Sequence, residues 1–355
     1  MHLPAPEAVG PSLDEWLDEI ASGFEEAAGA VEPCERSLRI ADLPVRMRFA
    51  GPALAAQLGR ALDHLADGAE TPPELTVHAW ASEDSGVAPP PLPEADPGSP
   101  RGAILYSADD RRRVAYQVGL GQLSAYDRES GRAWFWCRSS RGLPFWEPSA
   151  PFRQILHWWL GERGLLLLHG AAVGTRDGGG GILLAGRGGS GKSTCALASL
   201  AAGLLYAGDD YVAVEPGPRP RVFGLYCSGK LEPGHATLLR HLPPPGYEGD
   251  EAADEKSIFY LGDEFAPQLS RGFALRAVVA PVVRGSEPRF ELLAPAQALG
   301  ALAPSTLLQL VPARQEALSA MAGLLEHVPA YRLEVGGPVE TLPVAIERLL
   351  EEAAG

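Results

Sequence analysis

The run Gly186-Arg187-Gly188-Gly189-Ser190-Gly191-Lys192-Ser193-Thr194 has the residue types and spacing of G-x-x-x-x-G-K-[S/T]. Glycines at these positions let backbone N–H groups close around phosphate oxygens, and a helix starting at the end of the run adds its dipole. Lys192 would neutralise the β- and γ-phosphates, and Ser193 would ligate Mg²⁺. The context fits: the apolar run Ile182–Ala185 reads as a strand before the loop, and Thr194–Ala202 reads as a helix after it. The same residues satisfy G-x-G-x-x-G through Gly186, Gly188 and Gly191, and Asp209 and Asp210 follow near the distance a dinucleotide fold requires. A dinucleotide loop has no use for Lys192-Ser193, whereas phosphoryl transfer needs both. Lysine is also scarce: only Lys192, Lys230 and Lys256 occur among 30 basic residues. The phosphate-loop reading therefore prevails over a dinucleotide loop or a structural glycine turn.

Leu204–Val214 carries Gly208-Asp209-Asp210 after an apolar stretch. In a parallel sheet this strand end lies beside the loop, so one carboxylate can hold Mg²⁺ and the other can accept a proton from an incoming hydroxyl. Gly-Asp-Asp is also good turn chemistry, the plainer reading. His169 closes the run LLLL before Gly170, on a strand that a glycine turn returns into the loop-bearing strand. Alone it reads as a structural histidine. Its position makes it a candidate.

The order His169-Gly170, hairpin, Gly186–Ser193 and Gly208-Asp209-Asp210-Tyr211-Val212 resembles the catalytic domain of HPr kinase/phosphorylase. It also looks like the distantly related nucleotide site of phosphoenolpyruvate carboxykinases. The resemblance covers residues 150–215 well and the rest weakly. It implies that Lys192 and the amides of Gly188, Gly189, Ser190 and Gly191 bind phosphates, and that Ser193 and one aspartate hold Mg²⁺. The other aspartate would be the base for a serine hydroxyl, and His169 would approach the metal or the phosphoryl group. Asp210 is preferred as base and Asp209 as metal ligand. After the aspartates the chain reads FGLYCSGKLEPGHATLLRHL in place of the family's glycine-rich docking segment. The first part of the chain does not resemble the family's regulatory domain. The resemblance thus points to a looser group, including kinases of lasso-peptide precursors, rather than to HPr as substrate or to phosphorolysis.

The elements that must position these groups are also legible. Trp16, Leu17, Ile20 and Phe24 fall at helical spacing, and Ser12 with Glu15 forms a capping-box pattern. Ser37–Phe49 alternates like strands interrupted at Pro44, and Pro52–Leu65 reads as a helix. Six prolines in residues 87–100 mark a loop. Ala103–Tyr106, Val114–Gly119, Gln122–Tyr126 and Arg132–Cys137 read as a small antiparallel sheet, with Trp134, Phe135 and Trp136 packed in it. Phe152–Leu160 reads as a helix, Ala277–Val283 as a buried strand with Arg284, a further candidate, at its end. Gln297–Leu310, Arg314–His327 and Val339–Glu352 read as helices, with a strand at Tyr331–Val335. Pro243–Glu255 reads as a mobile acidic loop, solvated or guiding a basic peptide, that opens at Lys256 into a strand. Lys256 is expected either to reach a phosphate or the acceptor, or to pair on the surface with Asp254 or Glu255.

The net charge of -15, with 45 acidic against 30 basic residues, argues against nucleic-acid or anionic-membrane partners. No apolar stretch nears the about 18 residues of a membrane span, and Met1–Gly10 lacks a signal-peptide pattern. Cys34, Cys137, Cys195 and Cys227 show no C-x-x-C spacing and read as free thiols of a cytoplasmic protein. His235 and His241 near Cys227 do not have zinc-finger spacing. The expectation is an α/β P-loop kinase domain of the HPr kinase/phosphoenolpyruvate carboxykinase type over 145–355, behind a smaller α+β domain over 1–144. With ATP and Mg²⁺ it would phosphorylate a hydroxyl, foremost a serine of a peptide or protein. A small-molecule kinase on this fold and a non-catalytic nucleotide-binding regulator are the alternatives, and a homo-oligomeric state is left open.

Overall fold

A computed structural model describes residues 12–69, 71–93, 104–239, 241–253, 255–307, 309–312 and 315–352. Met1–Gly10, Ala103, Asp254, Arg314 and the later part of the proline-rich loop lie outside the described residues. The chain divides into two units. One is drawn from residues up to Arg39, from Leu43–Arg60 and from Ala66–Trp159. The other comprises Ile40–Asp42, Ala61–Leu65 and Leu160–Gly355.

In the first unit, helix α1 (Leu13–Ala30) starts at Ser12, whose hydroxyl accepts from the Glu15 amide while the Glu15 carboxylate accepts from the Ser12 amide. Leu17, Ile20, Phe24 and Ala27 recur at helical spacing and are buried with Trp80, Trp134 and Trp136. Burial of each large side chain contributes roughly 1.5–3 kcal/mol. The unit continues with β1 (Pro33–Ile40), β2 (Leu43–Ala50), α2 (Pro52–Gly59), β3 (Leu75–Ala81), the single turn α3 (Ser82–Ser85) and strands β4 (Ile104–Ala108), β5 (Arg112–Gln117), β6 (Gln122–Asp127) and β7 (Arg132–Cys137). Pro52–Leu65 is α-helical only to Gly59 and then a 3-10 turn. The four expected strands do form an antiparallel meander, β4 to β7. The sheet is nevertheless larger and mixed: seven strands in the order β1-β2-β3-β7-β6-β5-β4, with β2, β3 and β7 parallel. Strand β3 inserts between the two segments that the sequence marks. It is buried on both faces, yet Thr76 and His78 interrupt the apolar run by which a doubly buried strand is recognised.

Helix α4 (Arg153–Gly161) belongs to the first unit up to Trp159, and the second unit continues with β8 (Leu166–Gly174), β9 (Gly181–Ala185), α5 (Lys192–Ala201), β10 (Leu205–Gly208), β11 (Tyr211–Glu215), β12 (Arg221–Phe223), β13 (Ser228–Leu231) and β14 (Ser257–Tyr260). There follow β15 (Gly272–Val282), β16 (Arg289–Leu292), α6 (Pro295–Leu307), α7 (Gln315–Leu324), β17 (Ala330–Glu334) and α8 (Thr341–Glu352). Strand β9 lies between β8, antiparallel to it, and β15, parallel to it, and β17 runs parallel on the far side of β15. Alternate residues of β9 feed opposite layers. Ile182 and Leu184 belong to the same core as Leu197 of α5 and Ile346 of α8, whereas Leu183 and Ala185 belong to the core that holds Leu302 of α6 and Leu324 of α7. Helices cover both faces, which is why these strands read as unbroken apolar runs. The architecture is mixed α/β. Val283 departs from expectation: it falls beyond β15 and is 66% exposed, because the sheet ends at Val282. No helix among the described residues is long and apolar enough to cross a membrane.

Candidate active site

All the residues singled out for chemistry lie in the second unit. The loop turns from β9 into α5 through Gly191, whose φ of +101° only glycine adopts readily. The amides of Gly188, Gly189, Gly191 and Lys192 have no hydrogen-bond acceptor among the described residues. They are the orphan donors expected where a loop enters a helix. Gly188 and Gly189 are exposed, and the Ser190 hydroxyl is buried without a partner among the described residues. Lys192 is buried, and its Nζ donates to the carbonyls of Gly186 (2.7 Å) and Arg187 (3.1 Å). Burial pulls its pKa below the ordinary lysine value, Asp209 and Asp210 oppose the fall, and the charge of Lys256 adds to it. Helix α5 begins at Lys192, two residues before the expected start, with Thr194 in its first turn.

The acidic pair is not at a parallel strand end. Asp209 and Asp210 form a two-residue bend between β10 and β11, which follow one another along the same edge of β8, both antiparallel to it, with Gly208 opposite Ala172 and Tyr211 opposite His169. They still reach the loop, because β8 neighbours β9 on its other side. The chain does not reverse there, so the pair is a break in a continuing strand rather than a plain turn. Asp210 adopts φ +74°, a strained conformation for a non-glycine residue, and its carbonyl accepts from the Gly170 amide at 3.0 Å. Gly170 is needed where β8 passes from β11 to β9: a Cβ there would lie 2.7 Å from the Leu184 carbonyl oxygen. His169, one residue earlier, is held by its amide on the Thr306 hydroxyl of α6 (3.0 Å) and by edge contact with Tyr211, whose hydroxyl donates to Gln309.

The two carboxylates face different partners. Asp209 is 2% exposed. It accepts from the Ser193 hydroxyl at 3.1 Å and from the Lys230 amide at 3.2 Å. Burial, then the neighbouring Asp210 charge, push its pKa up. Asp210 accepts from His169 Nε2 at 3.1 Å and from Lys230 Nζ at 2.6 Å. Burial opposes its charge but is outweighed by the Lys230 ammonium and the His169 hydrogen bond, so its carboxyl lies well below the usual range. The other ring nitrogen of His169, Nδ1, is buried without a partner among the described residues.

Lys230 is the residue that sequence reasoning passed over, and its amide and ammonium bridge both aspartates from β13. Its signal was present in the scarcity of lysine. Thr306 and Gln309 had none. Lys256 immediately precedes β14, which pairs with β13, and forms an ion pair with Glu232 at 3.3 Å. The Glu255 carboxylate is taken by the Tyr247 hydroxyl, and Asp254 lies outside the described residues. Arg284 lies past the end of β15, paired with Glu334 at 2.6 Å, on the opposite side of β9 from the acidic bend. All four cysteines are free thiols. The described residues hold no group of three His, Cys, Asp or Glu able to bind a metal. Ser193 and Asp209 nevertheless fit Mg²⁺, which takes hard oxygen ligands and uses one or two carboxylates beside substrate phosphates and water.

No family model matches the sequence, and no curated protein matches it. Among solved structures the chain is similar to the HPr(Ser) kinase/phosphatase from Coxiella burnetii, at 13% identity and a TM-score of 0.28, over 53% of this chain and 95% of that one.

Proposed function

We propose that the second unit is an ATP-dependent phosphotransferase of the HPr-kinase-like type, which transfers the γ-phosphoryl group to a hydroxyl, foremost that of a serine in a peptide or protein. The observation that carries this reading is the opposed pair Asp209 and Asp210 against the loop, one pushed towards its proton and one held charged. Environments that drive neighbouring carboxyls apart mark a division of labour.

In this reading the loop amides and Lys192 bind the triphosphate, and Ser193 and Asp209 hold Mg²⁺. The ion supplies charge neutralisation at the phosphates. A cation also relieves the burial of Asp209's charge. Asp210, partly exposed at 21%, accepts the hydrogen bond of the acceptor hydroxyl and orients its oxygen for in-line attack. His169 fixes Asp210 through Nε2–H. A carboxylate held this low is a weak base, and in a loose transition state orientation matters more than early proton removal. Lys230, ion-paired with Asp210 at 2.6 Å, supplies a second cation beside it. The exposed acids Glu248, Asp250 and Glu251 favour a basic peptide as the acceptor.

The test is transfer of label from γ-labelled ATP to serine peptides with basic flanks, against ATP turnover without acceptor. Labelled serine supports the full reading. Label on small alcohols alone moves the acceptor class, and neither transfer nor turnover refutes the phosphotransferase.

A further inference from the structure

Val282 and Val283 are 37% and 66% exposed, in a chain whose large apolar side chains are otherwise mostly buried. Their position is specific. Leu184 of β9 pairs with Val279 of parallel β15, so as β9 runs on into the phosphate loop, β15 runs on to Val282 and Val283 at the same sheet end. At Gly191 a Cβ would lie 3.0 Å from Val335 Cγ2, 3.8 Å from Val283 Cγ2 and 3.9 Å from Pro281 Cβ. The Val335 amide donates to the Val282 carbonyl at 3.0 Å, which ties the two segments together. Arg284 and Glu334 flank this surface as an ion pair, with side chains 51% and 23% exposed.

We infer that Val283 and Val335, with Arg284 and Glu334 at their margin, seat the purine base of the nucleotide. This rests on the reading of the loop as a triphosphate site. Strand order gives the direction: β9 has His169 and the acidic bend on its β8 side, and the valines on its β15 side. The transferring end of the triphosphate belongs with the carboxylates, so the nucleoside leaves over Gly191 towards β15 and β17. A purine has apolar faces and polar edges. Valine side chains suit the face, and a guanidinium–carboxylate pair suits the edge or the ribose hydroxyls.

The experiment is calorimetric titration of the full chain with MgATP and with magnesium tripolyphosphate, which has the phosphates without the nucleoside. Val283→Asn adds no charge at an exposed position beyond the strand, and Val344→Asn, at an exposed position of α8, is the control. Val283→Asn is expected to weaken MgATP roughly five-fold or more and tripolyphosphate by less than about two-fold, with Val344→Asn changing neither. Equal weakening of both ligands, or of neither, overturns the base seat and leaves the loop reading intact. Unchanged ATP binding with weakened peptide phosphorylation also overturns it, assigning the surface to the acceptor. A native chain that binds neither ligand refutes the loop reading itself.

Discussion

Replacing Asp209 by Asn keeps both of its contacts satisfiable, since the amide oxygen can accept from Lys230 and the amide nitrogen can donate to Ser193 Oγ. Because burial raises the Asp209 pKa, the folded chain holds that proton more tightly than the unfolded one. Ionised Asp209 therefore subtracts stability increasingly as pH rises above about 4. Asp209→Asn should raise the melting temperature over wild type at pH 7, lose that gain towards pH 4, and abolish Mg²⁺-dependent nucleotide binding. Asp210→Asn should do the reverse. Its depressed pKa contributes stability above the unfolded carboxylate value that is lost as pH falls through the folded one, and removing it strands the Lys230 ammonium. Melting temperature should fall at neutral pH, and turnover should drop with nucleotide binding nearly intact. Paired melting and binding curves decide both; two variants indistinguishable from each other would end the division of labour. Lys192→Ala should lower turnover roughly 10²-fold or more while the chain stays folded by circular dichroism. A folded variant with native turnover removes Lys192 from the chemistry.

The element that positions His169 depends on a backbone crossing. Gly170→Ala sets a methyl group against the Leu184 carbonyl, so β8 and β9 must separate. Destabilisation of about 1–3 kcal/mol is expected, readable as a lower urea midpoint, together with lost activity, because His169 moves with its strand. An unchanged midpoint would show that the crossing relaxes freely. The strand–loop–helix from Ile182 onward was legible because its determinants are contiguous: apolar run, glycines, Lys192, Ser193. The acidic pair was legible as residues but not as geometry. Asp209 and Asp210 reach the loop from a bend between β10 and β11, which run in succession along one edge of β8, a pairing that spans about forty residues of chain, as the His169–Asp210 separation of 41 measures. Strand β3 was missed because buried His78 sits in it, satisfied by the Ala133 carbonyl at 3.1 Å, and so breaks the apolar run without exposing a face. Lys230 depended on how β13 enters after irregular chain, which no local pattern encodes.

On the scale of the whole molecule, acid sensitivity should come from histidines that fold neutral. Burial, eased by the Ala133 hydrogen bond, takes His78 to about 4, and burial with the Arg271 charge takes His64 to about 4. Below the ordinary histidine value of about 6.5 the unfolded chain gains protons that the folded one refuses, so stability falls from there towards pH 4. His78→Gln, which can still donate to Ala133, should flatten that decline in urea midpoints measured from pH 7 to 4. An equally steep decline would place the acid limb elsewhere. One feature of the second unit reaches beyond folding and catalysis. Lys192, Lys230 and Lys256 carry every ε-amine of the chain, and the charge of the third is felt by the first. Lys192 and Lys230 are 7% and 8% exposed, while the Lys256 side chain is 35% exposed. Acylating reagents, and enzymes that acetylate lysine, therefore find one open lysine on this protein, at the start of the ribbon that also carries Lys230, so lysine footprinting by mass spectrometry reports on that ribbon.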